Sequence, residues 1–171
     1  MNTTTLKNEQ SVTHIWTRFN LKWIITGAVS GILAGLFVIG IGSLIAGKHL
    51  GEWSQPFKII GAAIYGKEAL HYGSFGRPGL MGLFIHMLLS AIYGGTFAQM
   101  VNEKSSRSSL VILGLVTSLV IWVFGCALFM PSFDIFLRIS MPITLGVILH
   151  IIFGISFGLI LSLVRPVLLK K

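Results

Sequence analysis

Two residues of this chain combine a reactive type with an unusual placement: His86 and His150. An imidazole changes charge near neutral pH. Both sit inside long apolar stretches, where an ionisable side chain is a candidate functional group by default. Each lies eight residues beyond a proline, Pro78 or Pro142, or about 12 Å along a helix. Two imidazoles at one depth, facing one another across an axis, could ligate a haem iron. Small residues beside them would make room for a flat ring, and Arg77 and Arg138 lie on the side where propionates would emerge. This gives haem b as the cofactor alternative, with His86 and His150 as its ligands. The plainer reading has no cofactor. Each histidine donates a hydrogen bond to a neighbouring helix, for instance to a carbonyl bared by glycine, and this is the expectation carried forward.

Other chemistry is harder to build. Glu9, Glu52, Glu68, Glu103 and Asp134 all fall outside the apolar stretches, which weakens a proton pathway, since such pathways rely on buried carboxylates. Gly42–Lys48 and Gly61–Lys67 both fit G-x4-G-K. A phosphate loop also needs Ser or Thr next and a strand before it. Here His49 and Glu68 follow, so both matches are rejected. Cys126 is a lone cysteine and reads as a small packing residue. His49 and His71 lack the spacing of metal ligands, so no metal site is expected. No other catalytic motif is present, and the chain is expected not to be an enzyme.

The elements that must position the histidines follow from the charges. Residues 23–47, 78–102, 108–133 and 139–164 contain no Asp, Glu, Lys or Arg. A helix needs about 20 apolar residues to cross the hydrocarbon core of a bilayer. These windows predict four spans near Ile24–Ala46, Leu80–Val101, Leu110–Met130 and Ile143–Val164. They are apolar on every face, so they fit neither a membrane β-strand, which alternates, nor a soluble helix, which keeps a polar face. The composition agrees: 54% of the 171 residues are hydrophobic and 11% are charged, against about 25% charged in a soluble domain. Mean hydropathy is +0.86. The fold class is an all-α integral membrane four-helix bundle. The first 21 residues are polar and lead to no cleavage site, so the first span should stay as an anchor. A surface piece around Ile15, Trp16 and Phe19 is one option for this segment, and a loose tail is the other.

Four spans put both chain ends on one side. That side carries Lys7, Arg18, Lys22, Lys104, Arg107, Arg165, Lys170 and Lys171; the other carries Lys48, Lys58, Lys67, Arg77 and Arg138. The bias predicts cytoplasmic termini in a bacterial inner membrane. Trp23 and Trp53 fall near span ends, where indoles prefer the interface. The net charge of +8 is explained by these flanking residues. They form no basic stripe, so nucleic acid is not an expected partner. The lipid bilayer is, and a homo-oligomer or another membrane protein stays open.

The second and fourth spans match at an offset of 64 residues. Pro78, Gly82, His86 and Gly94 correspond to Pro142, Gly146, His150 and Gly158, Ser90 to Gly154, and Tyr93 to Phe157. Proline and histidine are rare in such segments, so their joint registration carries the weight. The match predicts two parallel two-helix repeats about an axis along the membrane normal. The first and third spans match less clearly, Gly27, Gly31 and Gly35 against Gly114 and Ser118. Gly82, Ser90 and Gly94 share a helix face, as do Gly146, Gly154 and Gly158, and as do Gly27, Gly31 and Gly35. Small residues four apart let backbones approach closely, so these are the expected packing residues.

Four segments result: a polar N-terminal piece (1–22), a first hairpin (23–102) with a long external loop (47–79), a second hairpin (103–164) and a basic tail (165–171). Pro56 is placed to open a short helix in the long loop, with Ile59, Ile60, Ala63, Ile64 and Tyr65 as its apolar side. Pro131 and Pro142 frame a shorter counterpart with Phe133, Ile135 and Phe136. The run Trp53-Ser54-Gln55-Pro56 after the first span, Gly82, Leu83, His86 and Gly94 in the second, and His150, Gly154 and Gly158 in the fourth resemble a group of small bacterial inner-membrane proteins of unknown function. The resemblance spans most of residues 24–164. It implies a four-helix membrane protein and carries no activity or catalytic residues. The expected function is a non-enzymatic scaffold or accessory subunit; the alternatives are a haem b electron-transfer protein and a small transporter or channel.

Overall fold

The computed structural model describes residues 19–71, 73–125 and 142–169. Ile15, Trp16, Cys126, Asp134, Arg138 and the segment beginning at Pro131 lie outside these residues. The described residues form α1 (Leu21–Leu50), α2 (Gln55–Tyr65), a 3-10 turn (Gly66–His71), α3 (Gly76–Met100), α4 (Arg107–Phe124) and α5 (Ile143–Leu168), with no strand among them. Four of these helices, α1, α3, α4 and α5, are long and apolar enough to cross a membrane. The fold is therefore an all-α bundle, and the protein is membrane-embedded. α1 runs past both expected ends, α3 and α4 begin before theirs and α5 ends after its own, because charged and capping residues outside the apolar windows still extend the helices. α3 stops at Met100, and the end expected for the third span at Met130 lies outside the described residues. Asn20 caps α1, accepting from the Trp23 amide at 3.2 Å. Ser106 caps α4 in the same way, accepting from the Ser109 amide at 3.1 Å. Gly51, with φ +71°, ends α1 in the left-handed conformation that glycine accepts without strain.

The helices pair as two antiparallel hairpins, α1 with α3 and α4 with α5, joined chiefly by α1 against α5. Inside a bilayer, lipid tails are as apolar as the helices, so association depends on close packing and hydrogen bonds. Glycine provides the closeness. A Cβ at Gly27 would run into the Gly94 carbonyl, and one at Gly31 into the Ser90 carbonyl. On the other hairpin, a Cβ at Gly154 would lie 2.6 Å from Leu115 Cα, and one at Gly158 2.6 Å from Val111 Cα. Tyr93, Phe97, Phe153 and Phe157 fill the junction of α3 and α5 with ring centroids 5.0–6.2 Å apart. The Tyr93 hydroxyl adds a hydrogen bond to the Gly114 carbonyl of α4 at 3.0 Å.

At the Asn20 end, polar groups clasp the link between α3 and α4. The Trp23 indole donates to Val101 O at 3.2 Å, and Asn20 Nδ2 to Glu103 Oε2 at 2.9 Å. Arg165, from the last turns of α5, donates through Nη1 to the carbonyls of Glu103 (2.8 Å) and Ser105 (2.7 Å). At the opposite end α2 lies on α3, with Gly61 against the Pro78 carbonyl and Gly82 against the Phe57 carbonyl. Trp53, Phe57 and Phe75 close over this contact.

The buried face of α2 only partly coincides with its apolar side. Phe57, Lys58, Ile59, Gly61 and Ala62 are buried, whereas Ala63, Ile64 and Tyr65 are exposed. The Gly61–Gly82 approach sets this rotation and turns Ile64 outward. It also buries Lys58, 1% exposed, whose ammonium pairs with Glu52. Burial pushes the Glu52 carboxyl up, but its bonds from Lys58 and Ser54 and the Lys58 charge outweigh that, so the group is held below the usual carboxylate range.

Two sets of variants test these contacts in detergent, with the thermal midpoint as readout. Gly94→Ala and Gly154→Ala should each destabilise by about 1–3 kcal/mol through overpacking. Gly40→Ala, where a Cβ meets nothing within 4 Å, should be neutral or stabilise by up to about 1 kcal/mol. Glu52→Ala takes the carboxylate away from a buried ammonium and should cost about 1–3 kcal/mol, more than Lys58→Met, which leaves Glu52 beside water. Because the folded carboxyl titrates lower than the unfolded one, near pH 4.3, its contribution is complete at neutral pH and fades as pH falls through the folded value. Wild type should therefore lose stability on acidification more steeply than Glu52→Gln. Parallel curves would remove the pair from this role.

Candidate functional site

The histidines do not occupy equivalent environments. His86 reaches from α3 to α1, and its Nε2 lies 3.0 Å from the Gly35 carbonyl. Glycine is required there, since a Cβ on Gly35 would collide with Ser90 Oγ. His150 turns back on its own helix, with Nδ1 2.9 Å from the Gly146 carbonyl one turn earlier. The Trp122 ring stands 6.4 Å from the His150 ring at 62°. Room for that indole comes from Gly146, whose Cβ would lie 2.7 Å from Trp122 Nε1. A hydrogen bond across helices to a glycine carbonyl thus holds for His86, and a bond within the helix for His150.

Both imidazoles border a cavity of about 600 Å³ between the hairpins. It lies in the half of the bundle nearer α2, opposite the clasp at Asn20. Each helix contributes wall. Val38 and Ile39 come from α1, Ile59 from α2, Leu89 from α3, and Leu149 and Phe153 from α5. The wall is mainly hydrocarbon, with a few polar groups: Gln55 at the start of α2, Ser90 and Tyr93 on α3, Ser118 and Trp122 on α4. Several of these are already committed. Tyr93 donates to Gly114 O, and the Ser118 hydroxyl donates to His150 O at 2.8 Å. Gln55 Oε1 is buried with no hydrogen-bond partner.

The remaining sequence candidates divide by place. Gly27, Gly31, Gly35, Ser90 and Gly94 meet at the α1–α3 seam, and Gly154 and Gly158 at the α4–α5 seam. Gly82 faces α2 and Gly146 faces Trp122, so matched positions serve different neighbours. Arg77 is exposed on the first turn of α3. The G-x4-G-K run at Gly42–Lys48 is helical throughout, and the one at Gly61–Lys67 ends α2. Among the described residues, no group of three or more His, Cys, Asp or Glu could hold a metal ion.

Sequence reasoning missed three features. The Lys58–Glu52 pair had a faint signal, opposite charges six residues apart around Pro56. Gln55 and Trp122 had none as single residues, since each matters only because tertiary packing aims it at the cavity. No family model matches this chain, and no match is found among curated proteins or solved structures.

Proposed function

We propose that this chain is a non-enzymatic accessory subunit or scaffold of a bacterial inner membrane, with both ends cytoplasmic, and that its working part is the intramembrane cavity, which holds an apolar small molecule. The cavity carries this reading. Its volume is in the range of small-molecule sites, about 300–1,000 Å³, and its wall is apolar with a few convergent polar groups. The non-enzymatic part rests on how those groups are used. Tyr93, Ser118 and one nitrogen of each histidine are tied to backbone carbonyls, which makes them parts of the wall.

Haem b is the second reading, favoured by one observation. His150 gives Nδ1 to Gly146 O, and that bond orients an imidazole for ligation through Nε2. His86 has the opposite pose, with Nε2 on Gly35 O.

Native mass spectrometry of protein transferred from membranes to nanodiscs tests the proposal. We expect an apolar organic molecule to co-purify, and Gly42→Leu, which projects a side chain into the cavity, to release it. Wild type that carries no such molecule and takes none up would end this reading. A Soret band that disappears in the His86→Ala, His150→Ala double variant would replace it with haem.

A further inference from the structure

The charges that the cavity wall can carry are of one sign. Three histidines border it: His86 and His150 within the bundle, and His49 at the outer mouth, in the last turn of α1. Among the described residues no Asp, Glu, Lys or Arg shares that wall. Lys58 and Glu52, at the α2 end, pair with each other away from it. The wall residues of α4 do not titrate, and Tyr93 of α3 keeps its hydroxyl proton on Gly114 O. An imidazole is either neutral or a cation. The wall can therefore match an anion, and it holds nothing to match a cation.

The two inner histidines act as a pair. Their rings are close enough for a charge on one to act on the other. A carbonyl oxygen can only accept, so His86 bonds Gly35 O through Nε2–H and His150 bonds Gly146 O through Nδ1–H. The basic nitrogen of each neutral ring is then the other one, Nδ1 of His86 and Nε2 of His150. Two donors stand beside them at the wall. Ser90 lies one turn beyond His86 on α3, and the Trp122 ring is 6.4 Å from that of His150.

We infer that the cavity binds a long-chain carboxylic acid with its head between His86 and His150, in preference to the ester or the amine of the same chain. The inference rests on the cavity reading above and adds the chemistry of the head. The acid arrives from hydrocarbon in its neutral form. Its carboxyl O–H bond breaks, an N–H bond forms at one of the two basic ring nitrogens, and the electron pair stays on the carboxylate. Nothing else is consumed, and no net charge enters the bundle. Carboxylate and imidazolium then share a charge-assisted hydrogen bond. Such a buried pair holds only where further hydrogen bonds meet its remaining lone pairs, and the Trp122 N–H and the Ser90 hydroxyl supply them. An ester has no proton to give, and an ammonium meets no carboxylate on this wall. The chain lies along Val38, Ile39, Leu89, Leu149 and Phe153.

Protein in nanodiscs is titrated with dodecanoic acid, isotope-labelled at its carboxyl, with methyl dodecanoate and with dodecylamine. Retention is read by native mass spectrometry. The acid should bind about tenfold more tightly than either analogue. Its carboxyl NMR signal should show ionisation at lower pH in the protein than in empty nanodiscs, since an adjacent imidazolium favours the charged form. His86→Gln keeps a donor for Gly35 O and His150→Asn keeps one for Gly146 O, yet each removes the basic nitrogen. Each should cut the preference by about threefold to tenfold, and the double variant should abolish it. Ester binding should stay at the wild-type level in all three, which damage to the bundle would not allow. His49→Gln, at the mouth, should leave the preference as it is.

Equal affinity for acid and ester, with release of both by Gly42→Leu, would overturn this inference and leave the cavity reading standing. So would tighter binding of the amine, a preference that survives in the double variant, or one lost in His49→Gln alone. No binding of any of the three ligands, by a wild type that also carries nothing from the membrane, would remove both.

Discussion

Backbone meeting backbone at glycine is the constraint on which the rest of this molecule depends. Helices in hydrocarbon gain little from hiding apolar side chains from one another, so they must gain from contact. Gly27 and Gly31 of α1 admit the backbone of α3 at Ser90 and Gly94, and Gly154 and Gly158 of α5 admit α4. That approach aligns the groups around it. It brings the Gly35 carbonyl within reach of His86 and lets Ser118 reach the carbonyl of His150. Where the glycine seams lapse, toward α2, the helices part enough to leave a cavity.

Much of the architecture was legible in the sequence because charge is intolerant of hydrocarbon. Four charge-free windows announced four spans, and small residues spaced by four marked the faces that meet. The histidines stood out for the same reason. Their partners did not, because whether an imidazole bonds across to Gly35 or back to Gly146 depends on rotamer and on which neighbour glycine lets near. Which face of α2 packs on α3 was not legible for a related reason. Its apolar residues suggested one side, but contact with α3 is set by Gly61 and Gly82, which carry no hydrophobic signal. Lys58 is buried because that contact turns it inward toward Glu52.

The correspondence between the second and fourth spans holds where each helix meets the partner of its own hairpin and fails toward the α2 end. Ser90 and Gly154, like Gly94 and Gly158, face the partner helix of their own hairpin. Gly82 and Gly146 meet unrelated neighbours, one a short helix and the other an indole ring. His86 and His150 bond in different directions. Packing demands one small residue at a given place, whereas a wall tolerates difference.

The pairing of α1 with α3 and of α4 with α5 also bears on how the chain is made. Each seam closes between spans that leave the ribosome consecutively, so the first hairpin can settle in lipid while the second is still being synthesised. The contact of α1 with α5 joins the halves only once the last helix has arrived. The void between them is thus the final feature to come into being, and until then its lining faces the surrounding acyl chains.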